Sequence, residues 1–311
     1  MIILHTPQLI KMASWKNQEL VSGRPGQAKS IVIPTCGCYY DKCYMCSYKK
    51  DCPAKTPSDI VELFTGEMEA GIDKYKIFTS GSFFDQRELS VAQILEIMAA
   101  VSQSGASELT VESRPEFIDA DVISRCQREL GGNVKLEVAI GLESANNDVL
   151  KYHINKGFTL ERFVEKAELL RRHEALVKTY LLLKPPLLTE YEAILDVVRS
   201  ARTVEDISDT ISINPTSIHR DSLVEQLWKR GKYRPPYLWS LVECLNRIRD
   251  LGPYVMSHPV AVGKERGIHN CGNCERDIME KVERFNMGSR DMIEHDCECK
   301  KEWEEELKKI F

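Results

Sequence analysis

Short apolar runs and helical periodicities alternate along this chain. The runs Ser30 to Thr35, Tyr75 to Thr79, Glu108 to Glu112, Val134 to Gly141, Val177 to Leu183 and Asp209 to Ile213 are brief, rich in β-branched residues and bounded by polar or turn-forming positions, as strands are. Between them, apolar residues recur every three or four positions over Ile60 to Ala70, Ser90 to Gln103, Asp119 to Leu130, Leu160 to His173 and Thr189 to Thr203, which predicts amphipathic helices. Pro57-Ser58-Asp59 marks the start of the first of these. Strands joined by helices of this length require right-handed crossovers, and therefore an α/β protein with a parallel sheet. Strand count alone leaves an open six-stranded barrel, a doubly wound sheet and a shortened eightfold barrel all admissible.

The flanks differ. Residues 1 to 29 lack the alternation and turn loose at Ser22-Gly23-Arg24-Pro25-Gly26, which predicts an N-terminal extension. Residues 30 to 250 hold the alternating units and the helices that follow them. Residues 251 to 311 are rich in cysteine and read as a small C-terminal module, ending in a charged helix from Lys300 to Phe311 with Trp303 and Leu307 as its packing edge.

Composition narrows the class. At 311 residues and 43% hydrophobic content the chain can bury a full core. No apolar run approaches the roughly 18 residues of a membrane span, and the first residues lack the order of a signal peptide, so a cytoplasmic protein with no membrane association is expected. A formal charge of -5 excludes a broadly basic nucleic-acid surface, leaving a local basic path or a partner that carries the nucleic acid. Eleven cysteines in a reducing compartment point to metal ligation more than to disulfides.

Four of those cysteines, Cys36, Cys38, Cys43 and Cys46, fall in the loop after the first predicted strand. Cys38, Cys43 and Cys46 give Cys-x4-Cys-x2-Cys, three soft thiolates able to face one point and suited to an iron-sulfur cluster. With Cys36 the same loop could instead close a four-thiolate zinc site.

The loop resembles that of the radical S-adenosylmethionine (radical SAM) superfamily, with one residue more than the family's commonest Cys-x3-Cys-x2-Cys. Gly37 directly before Cys38, and Tyr48 two residues after Cys46, match the family loop and favour Cys38 over Cys36 as first ligand. The resemblance implies a partial (β/α)6 barrel. It also implies a 4Fe-4S cluster held by Cys38, Cys43 and Cys46 at the mouth of strand one, with an open iron that binds the amino and carboxylate groups of SAM. Ser80, Gly81 and Ser82 stand where the family's glycine-rich segment hydrogen-bonds the SAM amino group. Glu112-Ser113-Arg114-Pro115-Glu116 resembles the Glu-x-Arg-Pro segment of the elongator-subunit-like and methylthiotransferase-like branches. That match sets Arg114 against a carboxylate such as that of SAM; the plain alternative is a surface pair of Arg114 with Glu112. Gly141-Leu142-Glu143-Ser144 and Ile154-Asn155-Lys156-Gly157-Phe158 match the same branches, giving Glu143 a role on the SAM ribose or in ordering a neighbouring cation. Lys184 and Asn214, at the ends of strands five and six, are candidates for SAM or substrate contacts, against a solvated lysine and a turn-forming asparagine.

Farther on, Lys229, Arg230, Lys232 and Arg234 alternate with Trp228, Tyr233, Tyr237 and Trp239, a mixture able to hold phosphates and stack on an unpaired base. Lys232 and Arg234 are the candidate substrate contacts, whereas the tryptophans are expected to pack on the barrel. Cys271-x2-Cys274 and Cys297-x-Cys299 form a second metal candidate, suited to closed tetrahedral zinc, with an auxiliary iron-sulfur cluster left open and His269 and His295 as flanking alternatives. Cys52, Cys126 and Cys244 read as inert thiols.

Over nearly all of its length the chain resembles the radical SAM subunits of archaeosine synthase, most distinctively in Tyr233-Arg234-Pro235-Pro236-Tyr237-Leu238-Trp239-Ser240 and the terminal cysteine quartet. That resemblance implies a carbon-nitrogen lyase acting on tRNA. A 5′-deoxyadenosyl radical would take hydrogen from a lysine adduct of a 7-cyano-7-deazaguanine-derived base in the D-arm, and bond cleavage would leave archaeosine. A transglycosylase-like subunit would be the partner. Another elongator-like tRNA-modifying enzyme and a zinc-only RNA-binding scaffold are the competing readings.

Overall fold

The computed structural model describes residues 12 to 309. One eight-stranded sheet forms its centre, with strands in chain order: β1 (Ala13–Val21), β2 (Arg24–Val32), β3 (Lys74–Phe78), β4 (Glu108–Glu112), β5 (Lys135–Glu143), β6 (Leu176–Leu183), β7 (Thr210–Pro215) and β8 (Tyr254–Met256). β1 runs antiparallel to β2, and every later pairing is parallel. The sheet curls into a half-barrel. Helices α1 (Ile60–Gly66), α2 (Val91–Gln103), α3 (Ala120–Leu130), α4 (Leu160–Arg172) and α5 (Glu190–Thr203) connect the parallel strands along its outer face, and α6 (Leu223–Lys229) and α7 (Leu238–Ile248) follow β7. The chain ends with α8 (Glu275–Asn286) and α9 (Lys300–Glu306). Among the described residues no helix is long and apolar enough to cross a membrane.

All six expected strands and five expected helices are present with shifted ends, and two strands are additional. Residues 13 to 29 of the stretch read as a loose extension belong to a β1–β2 hairpin whose turn, Ser22-Gly23, has φ of 49° and 78°, and residues 1 to 11 lie outside the described residues. Two consecutive positive φ values suit a two-residue turn that matches strand twist. The second addition, β8, extends the sheet into the segment expected to form a separate C-terminal module. Trp303 is buried and Leu307 packs beside the core, as expected of the terminal helix; Ile310 and Phe311 lie outside the described residues.

Alternation along the strands explains the layering. Tyr75, Ile77, Leu109, Val111, Leu136 and Val138 face outward and are fully buried under the helices. Their neighbours point into the barrel, and Lys74, Lys76, Glu108, Thr110 and Glu137 among them are polar. Lys74 Nζ lies 3.1 Å from Glu108 Oε2 and 3.0 Å from Glu137 Oε2. Thr110 and Thr210 hydroxyls donate to Glu137 at 2.6 and 2.7 Å. Lys76 pairs with Glu19 of β1, closing the interior across the hairpin.

Burial opposes ionisation of Glu137, yet the Lys74 and Lys178 cations and the two hydroxyls outweigh it and hold its carboxyl well below the usual range. Glu19 is held at about 2 in the same way, burial being outweighed by Lys76 and Lys178. For both, the stabilisation is complete above the ordinary carboxylate value of 4.5 and is lost as pH falls toward the lower folded value. Lys74→Met, which strands two buried carboxylates, is expected to destabilise the fold by about 3–5 kcal/mol. Urea unfolding at neutral pH measures this, and an unchanged midpoint would show that the ion layer contributes nothing net.

Candidate active site and candidate metal centre

The loop after β2 is tied at both ends. Thr35 Oγ1 donates to Glu88 at 2.5 Å, Cys38 N donates to Ser80 O at 3.0 Å, Tyr44 N donates to Ile154 O at 2.9 Å, and Asn155 Nδ2 donates to Lys42 O at 2.8 Å. The cysteine loop is thereby stitched to the segments that follow β3 and β5. Gly37 turns it with φ of 77°, and a Cβ there would stand 2.5 Å from Cys52 Sγ, so only glycine fits.

Cys38, Cys43 and Cys46 line a cavity of about 360 Å³ at the C-terminal ends of the parallel strands. Cys36 is not among its lining residues; its thiol lies 3.3 Å from Arg87 O. Burial raises the Cys43 thiol and pushes the Cys46 thiol up to about 11. Lys156 and Arg114 pull against burial at Cys43, favouring negative charge at this corner.

The residues anticipated at the strand ends fall into three groups. Ser80, Gly81, Arg114, Glu143 and Asn214 line the cavity with the thiols. Arg114 Nε donates to Glu116 at 2.7 Å and its Nη2 to Lys156 O at 3.0 Å, while the guanidinium lies 4.5 Å from the Tyr40 ring. Its carboxylate partner is therefore Glu116, not Glu112. Glu143 accepts from Lys156 Nζ at 2.8 Å and has φ of 73°, a conformation unfavourable for a residue with a Cβ. Ser82 stands behind the wall: its hydroxyl accepts from Arg114 N at 3.1 Å and its own N–H donates to Glu88 at 2.7 Å.

Lys184, Lys232 and Arg234 lie away from the cavity. Lys184 Nζ is 2.5 Å from Glu190 Oε2, a buried pair that fixes the start of α5. Lys232 is exposed. Arg234 lies 3.4 Å from the Tyr237 ring and donates to Pro235 O and His269 O, joining its loop to the cysteine-rich segment. Cavity residues not singled out from the sequence include Tyr180 and His258. The signal for Tyr180 was the alternation of Lys178 and Tyr180 along β6, which places both inside.

Gly81 makes the closest approach at the site. A Cβ there would lie 1.9 Å from Glu88 Oε1 and 2.6 Å from Cys38 N. Gly81→Ala is therefore expected to displace Cys38 and lower the iron retained per chain after anaerobic reconstitution. Iron content equal to wild type would show that the loop yields without loss.

Cys271, Cys274, Cys297 and Cys299 bring their sulfurs within 4.8 Å of one another, without either flanking histidine in the group. Nearest sulfur separations are 3.9, 3.7, 3.8 and 3.5 Å. Cys274 immediately precedes α8, whose N-terminus favours a thiolate. Trp239 Nε1 donates to Cys299 Sγ at 3.4 Å and Asn270 Nδ2 donates to Cys274 Sγ at 3.3 Å, contacts of the kind that orient sulfurs around a metal. Trp239 thus packs as expected, and against this quartet.

No protein-family model matches the chain. Archaeosine synthase subunit beta of Methanosarcina acetivorans is 35% identical over 311 residues, covering 95% of this chain and 89% of that protein. Archaeosine synthase subunit beta of Thermococcus kodakarensis is 38% identical over 313 residues, covering 94% and 95%. Among solved structures, the archaeal Elp3 of Methanocaldococcus infernus, N-terminally truncated, aligns with a TM-score of 0.51 at 18% identity, over 67% of this chain and 54% of that one. The half-barrel fold is shared with that Elp3 structure, and the sequence relationship extends over almost the whole chain. The chain belongs to the archaeosine synthase subunit beta family.

Proposed function

We propose that this chain is the radical-generating subunit of a tRNA-modifying lyase, cleaving a carbon-nitrogen bond in a lysine adduct of a 7-cyano-7-deazaguanine-derived base to leave archaeosine. The observation that carries the reading is the convergence of Cys38, Cys43 and Cys46 on one cavity at the strand ends, in a chain whose relatives are named archaeosine synthase subunits. Three thiolates around a shared space suit a 4Fe-4S cluster with one iron open. When bound, cluster and SAM would supply an electron and a 5′-deoxyadenosyl radical.

The chain's own residues do the rest. Ser80 and Gly81 leave backbone groups at the wall beside Cys38, where SAM would be held. Arg114 and Lys156 place fixed positive charge beside Cys43 and suit the carboxylate of SAM, and Glu143 keeps Lys156 oriented. The curved wall of β3 to β7 limits water around the reacting atoms. With a net charge of -5, the main grip on tRNA falls to the transglycosylase-like partner, and Lys232, exposed like its neighbour Arg230, is placed to touch RNA.

The quartet fits zinc. A tetrahedral ion with sulfur bonds of about 2.3 Å sets its ligands roughly 3.8 Å apart, and the four nearest of the six sulfur separations run from 3.5 to 3.9 Å, with all six within 4.8 Å. A polynuclear cluster needs its thiolates farther apart.

Reaction of anaerobically reconstituted protein with SAM, reductant and adduct-bearing tRNA, with and without the partner, tests the proposal. Archaeosine formed together with 5′-deoxyadenosine is the expected result. 5′-Deoxyadenosine without archaeosine removes the substrate assignment, and neither product from cluster-loaded protein removes the radical assignment.

A further inference from the structure

Along β5 the cavity is lined by Ala139 and Gly141, two small residues that leave space between the neighbouring strands. Strand register sets Glu112 on the wall of that space and Lys178 beneath it, outside the cavity's lining. Glu112 of β4 lies opposite Ala139 on one flank, and Lys178 of β6 lies opposite Ala139 on the other. Tyr180, one inward position above Lys178 and opposite Gly141, lines the recess with Glu112.

Neither charge is matched by a close ion pair. Lys178 is 3% exposed, and among the described residues the one hydrogen-bond acceptor of its Nζ is Met256 Sδ at 3.4 Å. The carboxylates nearest in effect, Glu137 and Glu19, are committed to Lys74 and Lys76. Glu112 is left with the Tyr180 hydroxyl and the more distant Lys178 and Lys76. An acid on the recess wall and a buried ammonium one inward position below Tyr180, neither closely paired, make a poor structural pair and a good receptor for a group that carries both charges.

We propose that this recess binds the free ammonium and carboxylate of the substrate's lysyl group, the ammonium against Glu112 and the carboxylate toward Tyr180 and Lys178. This deepens the functional reading above and rests on it. Lysine keeps one ammonium and one carboxylate whichever of its nitrogens joins the base, so the adduct ends in a zwitterion. SAM carries a zwitterion as well, but its place is beside the cysteine loop, at Arg114 and Lys156. The lysyl chain is the part of the substrate slender enough to pass below that level while the base stays at the rim.

The protonation state agrees. Burial, outweighing Tyr180, Lys178 and Lys76, lifts the Glu112 carboxyl from 4.5 to about 7, and burial pulls the Lys178 ammonium down to about 8. Each group gains its charged form when a ligand of opposite charge arrives.

The test uses the reconstituted full chain with tRNA carrying adducts of lysine, of cadaverine, which lacks the carboxylate, and of 6-aminohexanoate, which lacks the second amine. Wild type is expected to favour the lysine adduct over each analogue by about tenfold or more in kcat/KM. Glu112→Gln should erase the preference over 6-aminohexanoate and keep that over cadaverine; Lys178→Met should do the reverse. Equal treatment of all three adducts by wild type overturns the inference, as does a variant that slows all three by one factor. Calorimetric titration of the loaded protein with free L-lysine separates this from the broader reading. If no archaeosine forms, lysine binding that Glu112→Gln weakens tenfold still upholds the recess, and absent binding overturns it.

Discussion

Replacing Cys38 with alanine is expected to empty the loop of its cluster and reduce 5′-deoxyadenosine formation by about 10³-fold or more, because a three-ligand site that loses one thiolate no longer holds a reducible iron-sulfur group. Cys36→Ala is expected to change both iron content and turnover by less than about twofold, within the range of an ordinary surface substitution. The asymmetry follows from placement: Cys38 lines the cavity with Cys43 and Cys46, whereas the Cys36 thiol meets Arg87 O. Iron, acid-labile sulfide and 5′-deoxyadenosine on the two variants decide it, and a Cys36 variant that loses iron while the Cys38 variant keeps it would reverse the ligand assignment.

The second large effect lies at the quartet. Cys274→Ser is expected to take bound zinc from one ion per chain to none and to destabilise the chain by about 5 kcal/mol or more, since a structural zinc contributes its binding free energy directly to folding. That is comparable with the whole stability of an ordinary domain. The loss should spread beyond α8. Trp239 is bonded to Cys299, Trp303 Nε1 donates to Ser240 Oγ at 2.8 Å, and Ser240 donates to Glu190 at 2.6 Å. Metal analysis together with amide hydrogen exchange reads both parts. Iron that persists at the quartet in the Cys38→Ala protein would identify it as a second cluster instead.

Much of the scaffold was legible because its signals are local. Six strands and five helices follow from periodicity, since each outward face must meet a helix. β1 was missed because its pattern is not apolar alternation: Asn17 and Glu19 point into an ionic interior, and its register partner depends on a two-residue turn. β8 has three residues, too short for any period to show. At the site, cysteine spacing and strand-end motifs bring Ser80, Gly81, Arg114, Glu143 and Asn214 to one cavity. Lys184 and Arg234 could not be separated from them by sequence, because whether a cation faces substrate or a buried carboxylate depends on Glu190 and His269, distant partners that only folding supplies. Tyr180 and Lys178 carry no motif. Their meaning comes from standing across β5 from Glu112 with only Ala139 and Gly141 between.

The ionic filling of the barrel also bears on how the chain is made. Glu137 of β5 takes its partners from β3, β4 and β7, and Glu19 of the hairpin takes its cation from β3. During synthesis the early strands therefore emerge with charges that later strands must answer. A nascent chain ending before residue 210 has the helices to cover one side of the sheet but no hydroxyl from β7 to finish the other. Folding of the half-barrel is thus set to complete only after β7 clears the ribosome, making assembly a late and concerted event rather than a strand-by-strand accretion.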